Sequence, residues 1–218
     1  MSERITLIGL VGQAGTGKDT VAGLLSYHYG FLVEAFADPI RAMVRTVLRG
    51  HQLPEAALTE RALKEQPLPH VDISPRVLMQ QLGEAWRRAD ENVWVKLLAL
   101  RCGLHSASAC QVHDRIVIAD VRYRNEASWI RQRGGKLLRV IRDVPAVAAH
   151  ESEQQFGYIA CHATILNDGT LDDLPRKLDE ALHASRVDLS RRNGSTLAWH
   201  DTAGSGLDGT TFRRCDED

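Results

Sequence analysis

The chain reads as an α/β protein in which a parallel β-sheet is flanked on both faces by helices. Three observations predict this class. Ile5 to Val11 is a short continuous apolar run ending against a glycine, the pattern of a strand buried on both faces. Strand-length apolar runs then alternate with helical spacings along most of the 218 residues, which implies crossover helices between parallel strands. A glycine-rich segment, Gly12 to Gly17, joins the first strand to the first helix.

Taken in order, Thr20, Val21, Leu24 and Leu25 carry helical spacing until Gly30 stops it. Phe31 to Phe36 predicts a second strand and Pro39 to Leu48 a second helix. Gly50 to Ser74 is proline-rich and weakly periodic, so it reads as a mobile excursion. Ser74-Pro75 opens a strong helix, with serine as N-cap and proline at the first position, and Val77, Leu78, Leu82 and Trp86 form its expected apolar side. Trp94 to Leu100 is another helix. Arg115 to Asp120 is the clearest interior strand, followed by a helix from Asn125 to Arg133 that Gly134-Gly135 breaks. Lys136 to Ile141 and Ala163 to Leu166 complete the strands, and Leu171 to His183 is a final amphipathic helix. This gives one domain over 1–185. The stretch 186–218 shifts to Ser, Gly, Thr, Asp and Arg and reads as a polar, disordered tail.

Composition narrows the function classes. A formal net charge of -1 and a pI near 6.8 give no electrostatic footprint for nucleic acid. No run approaches the roughly 18 apolar residues of a spanning helix, and Met1-Ser2-Glu3-Arg4 lacks the features of a secretory signal. The expectation is a soluble, cytoplasmic protein with reduced cysteines. Cys102-x-x-His105 and Cys110-x-x-His113 offer four zinc ligand types, but Ser106 to Ala109 leaves little chain to wrap an ion. A small-residue loop is the preferred reading there.

Gly12-Gln13-Ala14-Gly15-Thr16-Gly17-Lys18 has the composition and the strand–helix context of a phosphate-binding P-loop. Its glycines let backbone N–H groups close around phosphate oxygens, the helix N-terminus faces the anion, and Lys18 adds a mobile positive charge. Asp19 stands where a metal-binding hydroxyl is usual, and Thr20 follows it. Asp19 is therefore expected to act on Mg²⁺ through water, and Thr20 to face a phosphate oxygen. The variant leans towards small-molecule kinases over switch GTPases and motor ATPases.

Asp120 ends an apolar strand, where open α/β sheets place ligand chemistry, and is a second candidate for Mg²⁺ or its waters. Phosphoryl transfer between anions needs positive charge around the moving group. Arg122 and Arg142 are the favoured arginines, with Arg124 and Arg139 read as surface charges. Asp38 and Arg41, together with Arg76, Gln80 and Arg87, suggest a second anion site, since Arg76 and Gln80 share a helical face.

These blocks resemble, in order, the phage-type deoxynucleoside monophosphate kinases. The blocks are Gly17-Lys18-Asp19-Thr20-Val21-Ala22, Phe36-Ala37-Asp38-Pro39-Ile40-Arg41, Ser74-Pro75-Arg76 through Gln80-Gln81-Leu82-Gly83 and Asp120-Val121-Arg122-Tyr123-Arg124-Asn125-Glu126-Ala127. Gly134-Gly135-Lys136, His150-Glu151-Ser152-Glu153 and Ile165-Leu166-Asn167-Asp168-Gly169-Thr170 extend the likeness over about Ile5 to His183. The resemblance implies a P-loop NTPase three-layer fold with a monophosphate-binding helical region at about 38–100 and a lid at about 142–160. It also implies transfer of the ATP γ-phosphoryl group to a deoxynucleoside monophosphate, with Mg²⁺.

By that resemblance Lys18 and its loop bind ATP, Asn167 falls near adenine, and Asp38, Arg41, Arg76, Gln80 and Arg87 hold the monophosphate. Asp120 and Arg122 lie between the nucleotides, and Arg142 belongs to the lid. His150 reads as a lid-ordering residue. A homodimer stays open, as does a host-cytoplasmic setting for a viral protein. Two other readings remain: a P-loop kinase of another phosphorylated metabolite, of phosphomevalonate or coenzyme-precursor type, and a P-loop ATPase acting on a macromolecule. The near-neutral charge and Val121, in place of a glutamate beside Asp120, disfavour the last.

Overall fold

The computed structural model describes residues 6–50, 53–58, 60–70, 72–105, 113–143, 156–187 and 189. Strands β1 (Thr6–Val11), β2 (Leu32–Glu34), β3 (Arg115–Val121), β4 (Lys136–Ile141) and β5 (Ala163–Leu166) pair in parallel in the order β2-β3-β1-β4-β5. The helices are α1 (Lys18–Tyr29), α2 (Asp38–Gly50), α3 (Arg61–Glu65), α4 (Pro75–Ala89), α5 (Val93–Arg101), α6 (Arg124–Gln132) and α7 (Leu174–Ala184). Short 3₁₀ segments lie at Glu55–Leu58 and Phe156–Tyr158.

Alternation along each strand explains the three layers. Ile8 and Leu10 of β1, with Val117, Ala119, Leu138, Val140 and Ile165, pack on α1 and α7. Leu7 and Val11, with Ile116, Ile118 and Leu137, pack on α5 and α6. Both faces of the sheet are covered, which is why the central strands read as unbroken apolar runs.

All five strands point their carboxyl ends to one rim, where the chain leaves β1 towards β2 and leaves β3 towards β4 in the opposite direction, so the rim between β1 and β3 holds the crevice. The pairing of β3 with β1 slips by one residue near that rim: Gly9 faces Ile118, but Val11 faces Val121. Such an irregularity re-aims the residues beside it, and Asp120 is one of them.

The stretch expected to be a mobile excursion is instead a packed satellite. Leu58 and Leu68 join Val44 and Leu48 of α2 in a third apolar cluster, with Leu63 of α3 and Leu78 of α4 against it. The apolar residues come from two short turns, so no single period shows in the sequence. The expected apolar side of α4 also needs correction. Leu78 and Leu82 do pack inward, but Val77 is 40% and Trp86 44% exposed, and Trp86 stacks on Trp94 instead. The helix is pinned by Gly83, whose carbonyl accepts a bond from Trp94 Nε1 at 3.2 Å.

The expected lid, about 142–160, overlaps residues 144–155, and the expected tail, 186–218, includes 188 and 190–218; these, with Cys110, His150 and Cys215, lie outside the described residues, while Val187 at the start of the expected tail packs in the core. Among the described residues no helix is long and apolar enough to cross a membrane.

Candidate active site

The loop between β1 and α1 folds around its own lysine. Lys18 is 8% exposed, and its Nζ donates to the carbonyls of Gly12 at 2.8 Å and Gln13 at 2.6 Å. Thr16 Oγ1 donates to Gln13 O at 2.9 Å and tightens the same turn. Two glycines make the wrap possible. A Cβ on Gly12 would stand 2.4 Å from the Val140 carbonyl, and Gly17 takes φ +94°, with any Cβ 2.3 Å from Asn167 Nδ2.

That second contact shows where Asn167 sits. It follows β5, is buried, and donates from Nδ2 to Thr16 O at 2.9 Å, while its N–H bonds Ile141 O at 2.7 Å. The amide expected near adenine thus bonds the phosphate loop, tying it to the edge strand.

A cleft of about 390 Å³ opens beside this loop. Ala14, Gly15, Lys18 and Asp19 form its loop side, and Ala119, Asp120 and Arg122 its floor at the end of β3. Arg41 of α2, Lys64 of α3 and Arg76, Gln80 and Arg87 of α4 form the far side. On α4 the residues 76, 80, 83, 84 and 87 recur at three- and four-residue steps, so one stripe of the helix faces the cleft. Ser74 starts it by accepting from Val77 N at 3.3 Å, which fixes where that stripe begins. Trp94 and Ile40 supply the apolar part of the wall.

Individual candidates differ in what their polar atoms already do. Asp120 accepts from Phe36 N at 2.7 Å and Ala37 N at 3.0 Å, so it anchors the turn into α2 while lining the cleft. Asp38 is a correction. Its carboxylate is held by Ala35 N at 2.9 Å, by Arg101 at 3.2 Å and by Arg41 at 2.5 Å, and it does not line the cleft. Arg101, which also bonds Glu34 at 2.7 Å and Ala35 O at 3.0 Å, is the latch of this corner and was not anticipated. Burial pushes the Glu34 carboxyl up, and Arg101 pulls it back in part.

Arg87 lines the cleft, but its guanidinium bonds Glu126 at 2.6 Å and lies 3.6 Å over the Tyr123 ring. Glu126 also accepts from Arg122 N at 2.8 Å and Tyr123 N at 3.0 Å. One buried carboxylate thus joins α4 to the loop that carries Arg122. Burial raises its pKa, opposed by Arg87 and the Arg122 amide. Neither Glu126 nor Tyr123 was singled out in the sequence; a glutamate three residues into a helix, reaching back to the first amides, is the signal that could have found it.

Arg142 is exposed beyond β4 and does not line the cleft among the described residues. Thr20 is exposed on α1 and does not line the cleft either. Of the paired Cys–His set, Cys102 is buried and its thiol is pushed up to about 12, mainly by burial. Among the described residues no group of three or more His, Cys, Asp or Glu side chains could hold a metal ion.

A loop that wraps a lysine at the start of α1, on a parallel β2-β3-β1-β4-β5 sheet with a cationic cleft at its carboxyl rim, defines a P-loop kinase, a phosphotransferase. Residues 68–178, just over half of the chain, match the family model described as deoxynucleotide monophosphate kinase, and the chain belongs to that family. The matched segment begins after the phosphate loop, so the loop and the match are separate observations.

A protein of Acanthamoeba polyphaga mimivirus, itself provisionally named a deoxynucleotide monophosphate kinase, is 29% identical over 181 residues, covering 78% of this chain and 92% of its own. Among solved structures, shikimate kinase from Aquifex aeolicus aligns over 84% of this chain and 99% of its own, at 14% identity and a TM-score of 0.47. A gluconokinase from Sinorhizobium meliloti 1021 aligns over 86% and 95%, at 9% identity and a TM-score of 0.43.

Proposed function

We propose that the protein transfers the γ-phosphoryl group of ATP to a deoxynucleoside monophosphate, giving ADP and a deoxynucleoside diphosphate. One observation carries this reading: a single cleft has a phosphate loop on one side and Arg41, Arg76 and Gln80 on the other, with Arg122 between them. Two anions in line need that distribution of cations.

In this reading the loop amides and Lys18 hold the ATP phosphates. Guanidinium groups of Arg41 and Arg76 take the acceptor phosphate, and the Gln80 amide faces the base. Arg122 offsets charge on the group in transfer, and the acceptor phosphate, already ionised at neutral pH, needs no general base. Asp38 and Arg87 act from behind, through Arg41 and Glu126 respectively. Arg142 and the chain after it supply a lid, and Asn167 keeps the loop in shape for the donor.

Mg²⁺ fits the donor set. Asp19 on the loop side and Asp120 on the floor bring hard carboxylate oxygens to one cleft, and carboxylates completed by phosphates and water are what this ion accepts. When bound, it would supply positive charge that offsets the donor phosphates. The setting we propose is cytoplasmic.

The test is ADP release across a panel of nucleoside and deoxynucleoside monophosphates, with other phosphorylated metabolites as controls. The expected result is turnover with deoxynucleoside monophosphates that Lys18→Ala abolishes without changing the circular dichroism spectrum. Turnover only with a non-nucleotide acceptor, or full activity in Lys18→Ala, would overturn the assignment.

A further inference from the structure

One cation in the cleft comes from a stretch whose sequence gives no sign of chemistry. Lys64 belongs to α3, a five-residue helix far too short to persist alone. The chain fastens it on both sides of the lysine. Leu63 packs against the cluster of Val44, Leu48, Leu58 and Leu68, and Glu65 pairs with Arg76 Nε at 2.5 Å. With its neighbours held this way, Lys64 turns into the cleft and shares a wall with Arg41 and Arg76.

Its surroundings are mostly of its own sign. The charges that act on it most are those of Arg41, Arg76 and Arg122, with Asp19 the main counter-charge, while Glu84, Asp120 and Glu126 also line the cleft. Burial and the three guanidinium groups hold its pKa below the ordinary lysine range. A lysine stem is flexible enough to carry its ammonium out to water, and this one stays half-buried among cations. Such convergence is unfavourable in an empty cleft and becomes favourable when a multiply charged anion enters. Arg41 and Arg76 lie on the acceptor side, Asp19 on the donor side and Arg122 between them, so Lys64 stands at the junction.

We propose that Lys64 is a further catalytic residue, whose ammonium contacts the oxygens of the phosphoryl group as it passes between the two nucleotides. The inference rests on the kinase reading above and deepens it. The bond between the γ-phosphorus and the β–γ bridging oxygen breaks, and its electron pair leaves with ADP. A lone pair of an acceptor phosphate oxygen forms the new bond. Lys64 gives and takes no proton. It remains an ammonium and offsets charge on the three oxygens that stay with the phosphorus.

The experiment compares wild type, Lys64→Met and Lys64→Arg. Lys64→Met is expected to lower kcat by about 10²-fold, the scale of removing one transition-state donor, with both KM values within about threefold. Lys64→Arg should recover part of the loss, and Lys64→Met should unfold no lower than wild type, since removing the ammonium relieves repulsion in the empty cleft. A rise in the monophosphate KM with kcat unchanged would overturn the proposal, as would a kcat within about threefold of wild type.

A second arm needs no acceptor. Aluminium fluoride, a mimic of the group in transfer, should tighten ADP binding to wild type far more than to Lys64→Met, while both proteins bind ADP alone equally. An equal gain in both proteins, or none in wild type, would sink the role of Lys64. Absence of turnover with every monophosphate would instead remove the acceptor assignment, and the fluoride arm would still decide on Lys64.

Discussion

Gly17→Ala tests whether the phosphate loop is shaped by its contact with Asn167. An L-residue at φ +94° sits in the left-handed region, which costs about 1–2 kcal/mol. The new Cβ would also stand 2.3 Å from Asn167 Nδ2 and drive that amide off Thr16 O. Stranding a buried carbonyl costs about 1–3 kcal/mol. The sum is a destabilisation of about 2–5 kcal/mol. Asn167→Ala alone should cost about 1–3 kcal/mol, the stranded carbonyl by itself. In that background Gly17→Ala has nothing left to displace and should cost only the backbone part, about 1–2 kcal/mol. The double mutant is thus more stable than the sum of the single effects by about 1–3 kcal/mol. Equilibrium urea unfolding at 25 °C, with midpoints compared at constant slope, measures all four proteins. Additivity within about 0.5 kcal/mol would refute the coupling.

Four further outcomes follow from the structure. Arg122→Ala should lower kcat far more than it weakens ATP binding, measured by turnover and by nucleotide titration; equal losses would make Arg122 a ground-state contact. Glu126→Ala strands the Arg87 guanidinium, whose side chain is 17% exposed, and two backbone amides, so it should destabilise by about 3–5 kcal/mol in thermal or urea unfolding. Arg88→Ala, on an exposed pair at 3.9 Å, should change stability by less than about 1 kcal/mol. Cys102, with its thiol raised to about 12, should resist alkylation at pH 8 in the native protein and react on unfolding. Because the folded thiol holds its proton above the ordinary value of 9.0, its contribution to stability is whole below pH 9 and is lost as pH rises towards 12. A urea midpoint that does not fall over that interval in wild type relative to Cys102→Ala would contradict this burial.

The elements that bury two faces were the legible ones. Lys136–Ile141 and Ala163–Leu166 form strands over the residues the apolar runs indicated, with Leu137, Leu138, Val140 and Ile165 buried in them and Ile141, Thr164 and Leu166 left exposed at the ends and edge. The second strand is shorter than its apolar run. Phe31 and Phe36 face the core, but only Leu32 to Glu34 find partners on β3. Which strand lies beside which is a tertiary fact, and no local pattern carried it. In the site, the phosphate loop was readable because its chemistry sits in consecutive residues, and Arg76 and Gln80 because a helix brings them together within one turn. The partner of Arg87 lies 39 residues away and the latch of Asp38 lies 63 away, at separations where spacing carries no information. Lys64 was hidden for another reason: its short helix acquires its orientation from α2 and α4.

The lysine that rests on two carbonyls of its own loop has a consequence for selectivity. Its ammonium has already been stripped of most of its water, and the loop's oxygens stand in for the lost hydration. An arriving guest therefore competes with a built-in host, and entry is an exchange of oxygens with little fresh dehydration. On the proposed reading a polyphosphate tail would replace both carbonyls at once, whereas a small singly charged anion would bring too few oxygens for that exchange.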